Sequence, residues 1–131
     1  MTEAEAPYHA HIYYDDAQRA AAAALRDQFI GLTAPGSNPH IRFVGQMVDR
    51  GVGPHPVPQY EIHFLGAARS KVVAAIDATG LRALVHPLTH DDLADHTSLG
   101  HWIGKPIKLD LAVLDPPGKN QGMPRFGKAD F

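Results

Sequence analysis

Two histidines near the N-terminus are spaced so that both could bind one metal ion. Residues 8–15 read YHAHIYYD, and this aromatic and β-branched stretch predicts a β-strand. Because successive side chains of a strand point to opposite faces, His9, His11 and Tyr13 share one face. Residues two apart on a strand have Cβ atoms roughly 6–7 Å apart, which lets both imidazoles reach a single ion. Taken alone, a His-x-His pair is more often an ordinary pair of core or surface histidines.

The rest of the chain strengthens the metal hypothesis. It contains 9 histidines and no cysteine, so a transition-metal site must use imidazole or carboxylate ligands. His55 lies between two prolines that stiffen its loop, His86 ends a predicted strand, and His96 follows Asp95. The candidate carboxylates are Glu61 and Asp95. Two or three neutral imidazoles, with or without one carboxylate, bind iron or zinc and leave positions open for oxygen and substrate.

Other residues of these types are interpreted as structural. Four histidines are expected to be surface or solvated residues: His40, His63, His90 and His101. Three aromatic residues are expected to belong to the core: Tyr13, Tyr14 and Trp102.

Composition excludes several classes of function. Hydrophobic residues make up 44% of the 131-residue chain, which predicts one folded domain over residues 1–131 and excludes a wholly disordered chain. The formal net charge of −2 argues against nucleic acid as a partner. No apolar run reaches the ~18 residues of a membrane span, and the acidic N-terminus is not expected to be a signal peptide. The lack of cysteine fits a cytoplasmic location.

Hydrophobic periodicity predicts two helices and five strands. The predicted helices cover residues 17–32 and 67–79, and the predicted strands cover residues 8–15, 41–48, 60–65, 81–86 and 107–114. Ile41 and Phe43 are expected on one side of the second strand. Residues 91–103 are expected to be a short helical or irregular excursion, and residues 115–131 an irregular tail.

This order of elements predicts an α+β fold. Two strand-helix-strand units suggest a ferredoxin-like sandwich of split β-α-β repeats, with an added C-terminal strand. The helices would cover one face of the sheet and leave the other for a site. By analogy with small domains of this shape, we expect a homodimer that forms an α+β barrel. In such a sheet, the first and fourth strands come close in space, which would bring His86 to His9 or His11.

The same segments resemble a known family. The segments YHAHIYYD at 8–15, VGPHP at 52–56 and LVHPLT at 84–89, followed by DHT at 95–97 and WIG at 102–104, are similar in order and spacing to the small fungal and bacterial DOPA 4,5-dioxygenase family. The resemblance covers residues 8–114. It implies a ferredoxin-like dimer and a non-haem iron(II) enzyme that cleaves the ring of L-DOPA or a related catechol with O2 (extradiol cleavage).

The resemblance also implies roles for the histidines. The motif histidines carry over as His9, His11, His55, His86 and His96. We expect His9, His11 and His86 to hold Fe(2+), with Zn(2+) as a substitute in a purified sample. His55 or His96 would then transfer protons as a neighbouring histidine, since imidazole titrates near neutrality.

Two other functions are compatible with the sequence. A non-catalytic dimeric module that binds a metal or a small aromatic ligand would use the same cluster with a closed coordination shell. A cofactor-poor monooxygenase is a weaker alternative, because this fold class hosts several chemistries.

Overall fold

The computed structural model describes residues 2–33, 37–116 and 122–128. In these residues, five strands and three α-helices follow one another along the chain: β1 (Pro7–Tyr13), α1 (Arg19–Leu32), β2 (Ile41–Val44), β3 (Gln59–Leu65), α2 (Arg69–Asp77), β4 (Ala83–Pro87), α3 (Asp92–His96) and β5 (His101–Ile103). Short 3-10 turns lie at Leu111–Val113 and Met123–Arg125.

The five strands form one antiparallel sheet in the order β2-β3-β1-β4-β5. The first four strands have the order that two interleaved β-α-β units produce. The predicted α+β class is therefore confirmed. The central strand β1 pairs with β3 on one side and with β4 on the other, which explains how distant parts of the chain meet there.

The core lies between the helices and one face of the sheet. Helix α1 is alanine-rich, which favours helix formation, and it buries Leu25 and Phe29. Helix α2 buries Val72 and Ile76. These residues belong to one cluster with alternate residues of β1 and β3, namely Ala10, Ile12, Tyr60, Ile62 and Phe64. The longest helix has 14 residues, and no helix of the described segments has the length and hydrophobicity to cross a membrane.

The predicted fifth strand is wrong. Residues 107–114 alternate in hydrophobicity, but they form no strand, and their only regular element is the turn Leu111–Val113. Asp110 starts this turn by accepting a hydrogen bond from the backbone N–H of Ala112, and its own N–H donates to the Pro54 carbonyl. The free edge of β4 is taken instead by β5, in the stretch that we expected to be helical or irregular.

The second strand is shorter than expected and contains an irregularity. It ends at Val44, and the pairing register shifts between Ile41 and Phe43. Such a bulge changes the face to which following side chains point. Ile41 pairs with Phe64 and is buried in the core, whereas Phe43 pairs with His63 and contacts its ring. The expectation that Ile41 and Phe43 share a side is therefore wrong.

Candidate metal centre

The face of the sheet opposite α1 and α2 carries a row of buried polar side chains. They are His9 and His11 on β1, Gln59, Glu61 and His63 on β3, and His86 on β4. The antiparallel register places His9 directly between His63 and His86. The strand alternation predicted for residues 8–15 is correct, since the even-numbered residues face the core.

Two more histidines reach this face from outside the sheet. His55 lies in a tight loop that is closed by reciprocal backbone hydrogen bonds of 2.9 Å between Val52 and His55. His96 ends α3, which begins where the Asp91 carboxylate accepts a hydrogen bond from the Ala94 N–H. Both imidazoles are buried, and their rings lie 4.1 Å and 6.1 Å from the ring of His11.

Three groups of side chains offer converging donor atoms. In each group, one donor atom per residue lies within 4.8 Å of the others: His9 with His11 and His86, His11 with His55 and His96, and His9 with Glu61 and His63. The structure thus brings together the three histidines that we expected to hold the metal. It also places both expected proton-transfer histidines beside them.

Hydrogen bonds at Nδ1 of His11 and His86 determine which ring nitrogen carries the proton. His11 Nδ1 is 3.0 Å from the Gln59 amide oxygen, and His86 Nδ1 is 2.8 Å from the Pro87 carbonyl oxygen. An oxygen of this kind accepts hydrogen bonds, so each Nδ1 carries the proton and each Nε2 carries a lone pair. The two Nε2 atoms are only 3.0 Å apart. Two facing lone pairs repel, so this spacing favours a cation that both nitrogens bind.

Burial keeps the cluster largely uncharged. It holds the pKa of His11 and His86 well below the ordinary value, and the neighbouring histidines lower both further. Burial likewise lowers the pKa of His55 to about 2. Neutral imidazole is the form that binds metal. At neutral pH, these residues are therefore uncharged imidazoles rather than imidazolium cations.

His9 is oriented by the C-terminal segment. Its Nε2 is 3.1 Å from the backbone oxygen of Arg125, an acceptor, so Nε2 carries the proton and Nδ1 is left with the lone pair. Its ring stacks on His63 with centroids 3.6 Å apart. Burial lowers the pKa of His9 as well. Any metal bond from His9 in this arrangement would use Nδ1.

His63 and Glu61 form a neighbouring pair with a different character. The N–H of Gly127 donates to His63 Nδ1 at 2.9 Å, so the neutral ring carries its proton on Nε2. That nitrogen lies 3.4 Å from a Glu61 carboxylate oxygen. His63 is fully buried, and the expectation that it is a surface residue is wrong. In this protonation state, His63 faces the carboxylate with an N–H rather than with a lone pair.

The two candidate carboxylates differ in position. Glu61 lies in one of the three donor groups. Asp95 instead accepts hydrogen bonds from the backbone N–H and the hydroxyl of Thr89, which fixes the turn between β4 and α3. The carboxylate that contacts His96 is Asp92, 3.4 Å from Nδ1, and the Asp92 backbone oxygen accepts the Nδ1–H at 2.8 Å. Sequence reasoning missed Asp92, although its i, i+4 spacing to His96 was a usable signal.

A small cavity opens beside the imidazoles. Its volume is about 130 Å³, which is less than that of a drug-sized pocket. Histidines form one wall, the apolar residues Pro54, Leu88, Val113 and Leu114 form another, and Asp92 and Arg125 also line it. Arg125 forms ion pairs with Asp92 at 3.2 Å and Asp115 at 2.7 Å. The cavity therefore suits a small ligand that has both polar and apolar groups.

Comparison with known proteins identifies the family. Residues 8–113 match the Dopa 4,5-dioxygenase family. The chain belongs to this family. It is 34% identical over 122 residues to the DOPA 4,5-dioxygenase of Amanita muscaria, a match that covers 89% of this chain and 52% of that protein. It is also 35% identical over 75 residues to an uncharacterized 21.2 kDa protein of Botryotinia fuckeliana, over 48% of this chain and 40% of that protein.

A crystal structure is similar to this chain in both fold and sequence. It is that of a "putative dioxygenase" from Nostoc punctiforme, with a TM-score of 0.70 and 34% identity over 82% of this chain and 90% of that chain. By contrast, the chain spans about half the length or less of the two fungal proteins, at 52% and 40%. The region that matches the family, residues 8–113, includes every histidine of the cluster described above.

Within this Dopa 4,5-dioxygenase family chain, Gln59 is expected to support metal binding at the candidate site through its hydrogen bond to His11. The variant Gln59→Leu removes the acceptor that fixes the His11 tautomer, so zinc or iron affinity should fall by about 10–100-fold. Competition with a chromophoric chelator measures this change. Gln28→Leu, which alters an exposed glutamine of α1, is the matched control. Equal affinity in Gln59→Leu and the control would contradict the assigned tautomer.

Proposed function

We propose that this chain is a non-haem iron(II) dioxygenase that opens the ring of L-DOPA or a related catechol by extradiol cleavage. The observation that carries this proposal is the pair of Nε2 atoms of His11 and His86, 3.0 Å apart on the wall of a small cavity. Family membership and the A. muscaria relative support the choice of substrate. Neutral nitrogen ligands suit iron(II).

We propose that His9, His11 and His86 hold the iron. His11 and His86 would bind through Nε2. His9 would bind through Nδ1, because its Nε2 is hydrogen-bonded to the Arg125 backbone oxygen. Zinc could take the same nitrogens in a purified sample. Iron(II), when bound there, supplies a Lewis acid that favours the ionised catechol and a redox-active partner for O2.

The chain's own residues would orient the substrate and accept its proton. The apolar wall formed by Leu88, Val113 and Leu114 would pack against the aromatic ring and exclude water. His96 lines the cavity and donates its Nδ1–H to the Asp92 backbone oxygen, so its Nε2 has the lone pair. We propose that this nitrogen accepts a hydroxyl proton from the catechol. We also propose that His55, whose ring centroid lies 4.1 Å from that of His11, assists this proton transfer.

Ring cleavage by the reconstituted protein tests this proposal. We expect protein loaded anaerobically with iron(II) to convert L-DOPA in air to a yellow product and to consume O2 in proportion to substrate. The same protein loaded with zinc(II) is the matched control and should be inactive, because zinc has no redox chemistry. Iron that stays bound while no catechol is consumed would contradict the proposal.

The second candidate is a non-catalytic module that binds a metal or a small aromatic ligand. It is favoured by the number of imidazoles, because His11 belongs to two donor groups and a fourth nitrogen could close the coordination shell. Nitric oxide binding to the iron(II) protein separates the two functions. An electron paramagnetic resonance signal from an iron-nitrosyl species indicates an open position, and its absence favours the module.

The remaining sequence predictions concern assembly and extent. We propose that residues 1–131 form a single domain with an irregular tail at 115–131, and that two copies associate. Of this tail, residues 117–121 and 129–131 lie outside the described residues, while Arg125 and Gly127 contact the histidine face. Light scattering coupled to size-exclusion chromatography tests the homodimer. A monomer mass at micromolar concentration would contradict it.

A further inference from the structure

Tyr13 is a buried tyrosine on the histidine face that the proposed chemistry does not use. It follows His9 and His11 at the end of β1 and is 1% exposed. Its hydroxyl oxygen lies 2.7 Å from His55 Nδ1, and its ring stacks on Trp102 with centroids 6.0 Å apart. Among the described residues, His55 is the one hydrogen-bond partner of this hydroxyl.

The direction of this hydrogen bond follows from simple donor counting. At neutral pH, a tyrosine side chain is a phenol with one O–H to donate. His55 Nδ1 is the acceptor within reach. A neutral imidazole with an accepting Nδ1 carries its proton on Nε2. His55 therefore has the opposite tautomer to that of His11, for which Nδ1 donates to an oxygen.

The tautomer decides what His55 can do in the cluster. Its ring lies 4.1 Å from His11 and 6.2 Å from His96, in the same donor group. An Nε2 that carries a proton cannot bind a metal, but it can donate a hydrogen bond. A neighbouring imidazole with a free Nε2 lone pair would instead compete for the metal as an additional ligand.

We propose that Tyr13 is a positioning residue that holds His55 as the Nε2–H tautomer, which keeps this imidazole off the metal and makes it a hydrogen-bond donor. This inference rests on the proposed metal function. It explains how a cluster rich in imidazoles avoids a closed shell and keeps coordination positions for substrate and O2. Beside His11, with ring centroids 4.1 Å apart, an N–H donor would also stabilise negative charge that develops on nearby oxygen atoms.

The variant Tyr13→Phe tests the proposal, because general damage to the fold would lower the zinc affinity. We expect zinc affinity, measured by chelator competition, to stay equal or to increase, because Nε2 of His55 is released as a ligand. We also expect kcat for ring cleavage to fall by about 10²-fold with KM nearly unchanged. Tyr60→Phe is the matched control, since it removes an equally buried hydroxyl that donates to the Ala22 carbonyl at 3.0 Å.

A spectroscopic readout keeps the test independent of activity. Long-range ¹H–¹⁵N spectra of the metal-free protein with ¹⁵N-labelled histidine should show His55 protonated at Nε2 in the wild type and in Tyr60→Phe, but not as a single tautomer in Tyr13→Phe. An unchanged His55 tautomer in Tyr13→Phe, or a zinc affinity that falls in that variant alone, would overturn the proposal. If the wild type binds metal but cleaves no catechol, the proposed function fails, while the spectra and the zinc affinities still decide the role of Tyr13.

Discussion

His11→Ala is expected to abolish iron(II) binding and ring cleavage together. His11 contributes to two of the three donor groups, and its Nε2 is 3.0 Å from that of His86. Loss of an outer hydrogen-bond partner already costs a metal site about 10–100-fold in affinity, so loss of the ligand itself should cost more than about 100-fold. Iron content after anaerobic loading and desalting measures the effect, alongside O2 uptake with L-DOPA.

Two exposed histidines provide the matched controls for this variant. His90 and His101 lie on the surface, so His90→Ala and His101→Ala should bind iron and turn over like the wild type. Near-ultraviolet circular dichroism checks that His11→Ala has retained its fold. If His11→Ala keeps full iron and full activity, the ligand assignment is wrong.

The metal-free protein is expected to lose stability steeply in mild acid. In the unfolded chain, histidine has a pKa of about 6.5, whereas burial holds the pKa of His9 well below this value and that of His55 at about 2. Below pH 6.5, the unfolded state therefore binds protons that the folded state does not bind. As a result, the free energy of unfolding decreases as the pH falls. Each such histidine contributes about 1.4 kcal/mol per pH unit.

The size of this effect is large for a small domain. In acid, His9 and His55 each bind one proton in the unfolded chain that they do not bind in the folded protein. His11 and His86 bind two protons when unfolded, and their facing nitrogens can share one proton when folded. This pair therefore adds at least one more proton to the difference. Three protons correspond to about 4 kcal/mol per pH unit between roughly pH 6.5 and the lower folded pKa values, against a typical total of 5–15 kcal/mol. Urea unfolding at pH 7.5, 6.5 and 5.5 measures it.

A matched variant separates buried from exposed histidines in this experiment. The double variant His90→Ala/His101→Ala should show the same pH dependence, because these side chains are exposed when the protein is folded. A free energy of unfolding that stays constant from pH 7.5 to 5.5 would show that the cluster takes up protons in the folded state. The neutral imidazoles on which the proposed site depends would then be ruled out.

Local patterns predicted the parts of the site that single elements position. Alternation along β1 placed His9, His11 and Tyr13 on one face because strand geometry is local, and the structure confirms this face. His86 joined them because the order of elements implied that β1 and β4 are neighbours. His55 and His96 followed from the family resemblance and from their loop or carboxylate neighbours.

Residues fixed by pairing register or by long-range contacts were missed. His63 alternates like a surface residue, yet its cross-strand partner is His9, and the bulge in β2 turns Phe43 onto it. Arg125 and Gly127 contact His9 and His63 through backbone atoms alone. Backbone contacts of a Gly- and Pro-rich segment leave no side-chain pattern in the sequence. These two contacts therefore could not be predicted from residue types.

The wrong fifth strand has a related cause. Alternation in residues 107–114 satisfies the local pattern, but a strand also needs a free edge with which to pair. β5 occupies the edge of β4 from Ala83 to Val85. The alternating residues instead reach the cavity, where Val113 and Leu114 form part of the apolar wall.

The fate of oxygen during turnover tests the proposed ring cleavage most directly. Iron(II)-loaded protein should be given L-DOPA under ¹⁸O₂, and the ring-opened product should be reduced at once to prevent exchange and then analysed by mass spectrometry. Extradiol cleavage predicts that both atoms of one O2 molecule enter the product, together with cleavage of the ring. A product with one labelled atom and an intact ring, or an oxidised catechol without label, would contradict a ring-cleaving dioxygenase.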